Sequence, residues 1–243
     1  YYFGFWLKLY GKLSRENPFH SADVVLVNSE YIAKLTKMLW DKKPMVLNPP
    51  VKVMDFVPYS NREYDERGNS VVMIGRISPE KRVEDVIDAV SISETKPIIR
   101  VVGGLIPSGI NYLRFLKKRA REKNVKIEFQ INAPRRKLVQ TVTSSRVFVH
   151  GTRGEHFGIA VVEGMSGGCP VIVHKSGGPY EDITDYGRYG LAYSSIEELA
   201  ESIDMLLSNP KTWKYYHELS LERCKMYSED MFRDKFLKVL KEV

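Results

Sequence analysis

Two cysteines in 243 residues exclude a disulfide-stapled framework. Cys169 and Cys224 stand in apolar or amphipathic runs without metal-ligand spacing, so buried thiols in a reducing compartment are expected. No stretch approaches the ~18 consecutive apolar residues that span a bilayer. No leader with a charged start, an apolar middle and a small-residue cleavage site is recognisable either. These absences predict a cytoplasmic protein, in contact with a membrane at most peripherally, on the cytoplasmic face. There is no internal repeat and no low-complexity tract, which excludes solenoids and linker-like chains. The first residue is Tyr1 rather than methionine, and the chain is expected to be part of a longer one.

What is present reads as globular, with 43% hydrophobic and 28% charged residues. The net charge of +7 suits a polyanionic partner such as nucleic acid, an anionic membrane surface or a phosphorylated substrate. It does not choose among them, and a plain basic surface accounts for it equally well.

Short β-branched runs alternate with longer amphipathic ones. Asp23–Val27 reads as a strand, 30–40 as a helix and 45–47 as a short strand. Residues 48–70, rich in Pro, Asn and charge, read as a linker. Beyond it, strands are expected at 71–74, 98–102, 125–130, 146–150, 170–173 and 190–193, with helices of 10–15 residues between most of them. Blocks such as V-V-M-I, I-I-R-V-V and P-V-I-V are nearly continuous apolar runs, the mark of a parallel sheet covered on both faces. The expected fold class is α/β: a doubly wound parallel sheet over residues 71–225, a helical C-terminus, and a partial preceding domain. Residues 226–243 are expected to form a helix that packs back toward the N-terminal segment. Residues 1–47 are too few for an independent α/β core and read as the remnant of another domain. The aromatic-rich Tyr1–Leu13 is expected to pack against that neighbouring unit, with a membrane interface as the alternative.

In such sheets ligands sit at the carboxyl ends of the strands. The first candidate loop is Gly75-Arg76-Ile77-Ser78-Pro79-Glu80-Lys81-Arg82. Ser78 suits an N-cap and Pro79 a first helical position, so Lys81 and Arg82 are expected in the first turn. Cations there oppose the helix dipole unless an anion binds, and with Arg76 three cations would converge on a diphosphate. A solvated charge ladder with Glu80, Glu84 and Asp85 explains the loop as well. The second loop is Gly154-Glu155-His156-Phe157-Gly158-Ile159, followed by a helix carrying Glu163. Glu155 alone reads as a dipole partner, but Glu163 sits in the nearly apolar I-A-V-V-E-G-M-S, and a carboxylate buried there needs partners. Carboxylates beside an open helix start suit sugar hydroxyls and a phosphate. Ser176-Gly177-Gly178-Pro179-Tyr180-Glu181 closes the same end of the sheet and is compatible with a plain turn. The segment from Ile131 to Pro134 is placed to flank a base.

The combination resembles glycosyltransferase family 4, of GT-B fold, in its C-terminal domain. The family's G-R-x-x-x-E-K loop is matched by Gly75, Arg76, Glu80 and Lys81. Its E-x-F-G-[IL]-x-x-x-E segment is matched by Glu155, Phe157, Gly158, Ile159 and Glu163. The run from Phe157 to Pro179 is also similar to the branch of eukaryotic α-1,2-mannosyltransferases that extend lipid-linked oligosaccharides from GDP-mannose. The resemblance implies a Rossmann-like donor domain and a retaining hexosyltransferase, with mannose as the sugar of that branch. The donor would be a GDP- or UDP-linked sugar and the acceptor a glycan or lipid-linked glycan, with no metal and no other cofactor. It implies that Arg76 and Lys81 hold the diphosphate, Glu155 orients the sugar and Glu163 binds ribose. Phe157, Gly158, Ile159 and the Ile131 loop would complete the donor site. A full-length member carries an acceptor domain of which only residues 1–47 would be present, so the chain alone is expected to transfer little. Two other readings remain: another GT-B enzyme such as an epimerase, and a basic nucleic-acid-binding α/β module. No nucleic-acid motif is present, so nucleic acid is not expected as a partner.

Overall fold

The continuous burial of Val71, Val72 and Met73 places a strand with both faces covered at the centre of the molecule. The computed structural model describes residues 17–242. Tyr1–Leu13 lies outside the described residues. The chain before the sheet forms a two-stranded parallel pair, β1 (Leu26–Val27) and β2 (Met45–Val46), joined through helix α1 (Glu30–Trp40). The central sheet holds β3 (Gly68–Ile74), β4 (Ile98–Gly103), β5 (Ile127–Ile131), β6 (Ser145–His150), β7 (Val171–His174) and β8 (Leu191–Tyr193). All six run parallel in the order β5-β4-β3-β6-β7-β8. Besides the single turns Pro18–Ser21 and Val57–Ser60, the further helices are α2 (Val83–Ile92), α3 (Ile110–Glu122), α4 (Arg135–Thr143), α5 (Ile159–Ser166), α6 (Ile196–Ser208), α7 (Pro210–Arg223) and α8 (Glu229–Glu242). Among the described residues no helix is long and apolar enough to cross a membrane.

One face of the sheet packs Val71, Met73, Val147 and Val149 against α2, α3 and α6. The other packs Val72, Phe148, Val171 and Val173 against α4, α5 and the Cys224–Tyr227 turn. The expected doubly wound α/β architecture is present. The chain builds outward from β3 to β5, then returns to β6 and builds the other way. The strand order therefore reverses between β3 and β6, where such sheets open a crevice for ligands. Cys169 and Cys224 are buried and unbonded to each other, as expected.

Several boundaries differ from expectation for identifiable reasons. The 23–27 run supplies only two paired residues, because β2 offers no longer partner. Residues 48–70 are packed rather than loose: Val51, Val53 and Phe56 belong to the core beneath α5, and β3 already begins at Gly68. Val51 donates its N–H to Tyr227 (2.9 Å), so the C-terminal segment returns to this stretch through the turn before α8. α1 is held on the sheet domain from far along the chain. Ser29 caps it at Ile32 N, and the Asp182 carboxylate accepts from Glu30 N (2.5 Å) and Tyr31 N (3.1 Å). Lys34 pairs with Glu181 on the same turn.

Candidate functional site

The loops leaving β3 and β6 face each other across the crevice. The first does not enter a helix at Pro79 as expected. Ser78 gives its hydroxyl to the Glu80 carboxylate (2.5 Å) instead of capping the backbone. Pro79–Lys81 makes a single 3-10 turn, Arg82 turns left-handed (φ 53°), and α2 starts at Val83. This break separates the cations expected to converge. Arg82 swings to Asp85 (3.0 and 3.1 Å) and serves as a structural ion pair. Lys81 stays on the strand side, with its stem against Gly75. Its Nζ lies 3.0 Å from Glu155 Oε2. Arg76 borders the adjoining recess with Gly75, Lys81 and His150 and is largely exposed.

The second loop meets this lysine with an ordered backbone. Glu155 O accepts from Gly178 N (2.8 Å), and Gly154 N donates to Ser176 Oγ (2.9 Å). The Ser176-Gly177-Gly178 stretch is therefore a brace for Glu155 rather than a plain turn. A Cβ on Gly178 would sit 2.3 Å from His156 O, which is why no side chain is admitted there. Gly158 takes φ 99°, and a Cβ on it would press on Pro179 at 2.9 Å. Helix α5 starts directly after it without a side-chain cap, leaving first-turn N–H groups available.

The result is a cleft of about 330 Å³ lined by Lys81, His150, Glu155, Phe157, Gly158, Ile159 and Ala160, with Asn28 and Pro49 closing it from the N-terminal side. Phe157 is almost wholly buried and meets Tyr227 edge-on (5.2 Å), so it floors the site as a core residue. Besides Arg76 in the adjoining recess, two expected site residues stand outside this cleft. Ile131 ends the edge strand β5 and is exposed. Glu163 is hydrogen-bonded by Arg135 Nη1, while Arg135 Nε holds Asp55 at 2.8 Å. The partner that a carboxylate in an apolar helix requires is supplied by the protein itself. His150, Asn28 and Pro49 had not been singled out. The signal for His150 was a histidine closing the apolar run V-F-V-H; Asn28 and Pro49 carried none.

The charges on the cleft are tuned by its walls. The His150 ring, 3.6 Å away, and the Lys81 ammonium hold the Glu155 carboxyl down to about 2, against the opposing effect of burial. Burial keeps His150 itself below its usual range. A carboxyl with a depressed folded pKa stabilises above its unfolded pKa and loses that contribution as pH falls toward the folded value. Stability at the loop should therefore drop between about pH 5 and pH 2, and Glu155→Gln should flatten that acid limb. Denaturant melts at several pH values check this, and parallel acid limbs would argue against the ion pair.

A family model described as glycosyl transferases group 1 matches residues 60–222. The chain belongs to this family. Relatives include the GDP-Man:Man(3)GlcNAc(2)-PP-Dol alpha-1,2-mannosyltransferases of Homo sapiens (30% identical over 77% of this chain) and Xenopus tropicalis (28% over 76%). The chain spans 42% and 41% of those proteins, somewhat less than half their length. In fold it is similar to Anabaena Alr3699/HepE, solved in complex with UDP and glucose. That match has TM-score 0.80 and 17% identity, and covers 91% of this chain and 64% of that one. The C-terminal domain of the Francisella tularensis glycosyl transferase group 1 protein LpcC matches over 74% of this chain and 99% of its own, with TM-score 0.63 and 20% identity. The expected family resemblance is thus found, and the doubly wound fold matches that of these solved proteins.

Proposed function

We propose that this chain is the donor-binding part of a retaining hexosyltransferase that takes mannose from GDP-mannose to a lipid-linked glycan. The observation that carries the reading is the Lys81–Glu155 pair at the strand-order reversal, beside the uncapped start of α5. A donor diphosphate would draw Lys81 and Arg76, with the first-turn N–H groups of α5 adding to the attraction. The same cations would stabilise the charge that grows on the departing diphosphate. Glu155, freed on the cleft side, orients the hydroxyls of the sugar. Glu163 meets the ribose by exchanging part of its contact with Arg135. Retention fits an acceptor that attacks from the face the diphosphate leaves, with no second carboxylate acting as a hydrolytic base. The names of the sequence relatives favour GDP-mannose; the UDP in the HepE complex makes UDP-sugars the comparison set. The acceptor site belongs to the preceding domain, so transfer by this chain alone should be slight.

Thermal shift with GDP, UDP, GDP-mannose and UDP-glucose tests the reading. GDP-mannose should stabilise the chain, and Glu163→Ala should shrink the shift. No stabilisation by any of the four would overturn it.

A separate groove supports peripheral contact with an anionic membrane surface. It encloses about 540 Å³ between α4 and residues 55–62, where Arg62, Arg136 and Lys137 line it beside the Arg135–Asp55 pair. The first turn of α4 has no acidic residue, and Met54 and Tyr59 are exposed beside it. Vesicles containing phosphatidylserine should co-sediment the chain more than phosphatidylcholine vesicles do, and the double change Arg136→Glu, Lys137→Glu should abolish the difference. Equal sedimentation with both vesicles would remove this contact.

A further inference from the structure

His150 closes β6, pairs with Val173 of β7 and is 3% exposed. Its Nε2 is buried and has no hydrogen-bond partner among the described residues. Glu155 Oε2 stands 3.6 Å away, a loose contact that already helps to hold the carboxyl low but is longer than a full hydrogen bond, and that same oxygen holds Lys81 at 3.0 Å. One carboxylate oxygen therefore faces both a cation and a ring nitrogen. An unpartnered buried nitrogen is unfavourable in the free protein and indicates a partner taken up in another state. We propose that His150 is a positioning residue that takes hold of the Glu155 carboxylate when Lys81 is drawn onto the donor diphosphate. The inference rests on the reading of this cleft as the donor site.

Lys81 has one ammonium for two claimants. A doubly ionised phosphate pair competes strongly for it, and Glu155, only about a quarter exposed, would keep the long contact of Oε1 with His156 N (3.3 Å) while its Oε2 lost its donor. A closing movement of about 0.7 Å brings Nε2 to the usual ~2.9 Å from the carboxylate. The strand holds the ring, so the carboxylate is the group that moves. Burial keeps the imidazole neutral, and in the tautomer with hydrogen on Nε2 it donates without adding charge. Glu155 thereby remains ionised and fixed in the rotamer that receives sugar hydroxyls. A role of this kind affects recognition of the sugar and leaves recognition of the diphosphate nearly unchanged.

Calorimetric titration of the chain with GDP and GDP-mannose, and with UDP and UDP-glucose, tests this. His150→Leu should leave affinity for the bare diphosphate within about twofold and lower the nucleotide-sugar to diphosphate affinity ratio about tenfold, the usual order for a hydrogen bond to a charged group. His150→Gln, whose amide N–H reaches the same place, should keep the ratio within about threefold of wild type. Equal losses for both ligands would mean a purely structural histidine, and unchanged affinities would mean no role; either overturns the proposal while the donor reading stands. A wild-type chain that binds neither ligand pair overturns the donor reading and the proposal with it. Should His150→Leu fail to fold, His150→Asn replaces it. Asn is too short to reach Glu155 and should lose the ratio that Gln keeps; equal behaviour of the two would refute the positioning role.

Discussion

Lys81→Ala should weaken binding of GDP by about 10- to 100-fold and leave the stability of the free chain within about 1 kcal/mol of wild type. The two halves of this expectation have different origins. In the free protein the Lys81–Glu155 pair is partly exposed on both sides, and ion pairs of that kind contribute little net stability. Removing the lysine also leaves His150 close to the carboxylate. In the proposed complex the ammonium would face a diphosphate, and a hydrogen bond to such a charged group amounts to about 1.5–3 kcal/mol. That range corresponds to roughly a 10- to 100-fold change in affinity. Arg76→Ala should act in the same direction with a smaller effect, because the Arg76 side chain is 65% exposed. Lys81→Arg is not a conservative control: a planar guanidinium cannot occupy the narrow space beside Gly75 that the lysine stem fills. Isothermal titration with GDP reads both variants. Unaltered GDP affinity in Lys81→Ala would place the diphosphate away from this lysine.

The break that gives Lys81 its position was not readable from the chain. Ser78-Pro79 has the composition of a helix start, and local propensity predicts one helix from Pro79 onward. The outcome was decided by Glu80, which captures the Ser78 hydroxyl, and by Asp85, which accepts Arg82 once that residue has turned left-handed. Neither preference exceeds a fraction of a kcal/mol in isolation, so tertiary contacts choose between them. The sheet was legible for the opposite reason. V-V-M-I, I-I-R-V-V and P-V-I-V satisfy a requirement that runs over many residues, burial on both faces, and small local effects cannot reverse it. Glu155, Gly158 and Ile159 were legible because a family pattern marks them. The contacts that hold them in place were not. The brace from Gly178, the cap that Asp182 places on α1, and the Arg135–Glu163 pair all join residues remote in sequence. A single sequence gives no sign of which polar side chains will meet.

Arg67 shows how far such a hidden contact can matter, and Arg67→Met should destabilise the chain by about 3–5 kcal/mol. The sequence placed Arg67 in a linker, where its charge would be solvated. In the structure it is 2% exposed, and its guanidinium lies over the Trp213 ring at 5.2 Å. It donates to four backbone carbonyls: Arg62 O (2.9 Å) from Nε, Ser145 O (3.2 Å) and Gly167 O (3.0 Å) from Nη1, and Ser60 O (2.7 Å) from Nη2. No carboxylate is ion-paired with it among the described residues, so carbonyl dipoles, with the Trp213 ring face and the Cys169 sulfur (3.8 Å), offset the loss of hydration, and burial pulls its pKa down. These carbonyls belong to the stretch before β3, to the start of β6 and to the end of α5. One planar side chain therefore ties the incoming segment to both elements that flank the loop carrying Glu155. Methionine has similar reach and apolar volume but donates nothing, leaving three buried carbonyls and the part-buried Arg62 O short of a partner, a loss comparable to breaking a buried ion pair. Lysine keeps the charge without the planar fork and should recover only part of the loss. Against a typical total of about 5–15 kcal/mol, the Met variant would be marginally folded. Urea denaturation reads it as a fall in midpoint at unchanged slope. A loss below about 1 kcal/mol would mean that water or a local rearrangement satisfies those carbonyls, and that the segment is joined to the donor domain by the apolar contacts of Val51, Val53 and Phe56 alone.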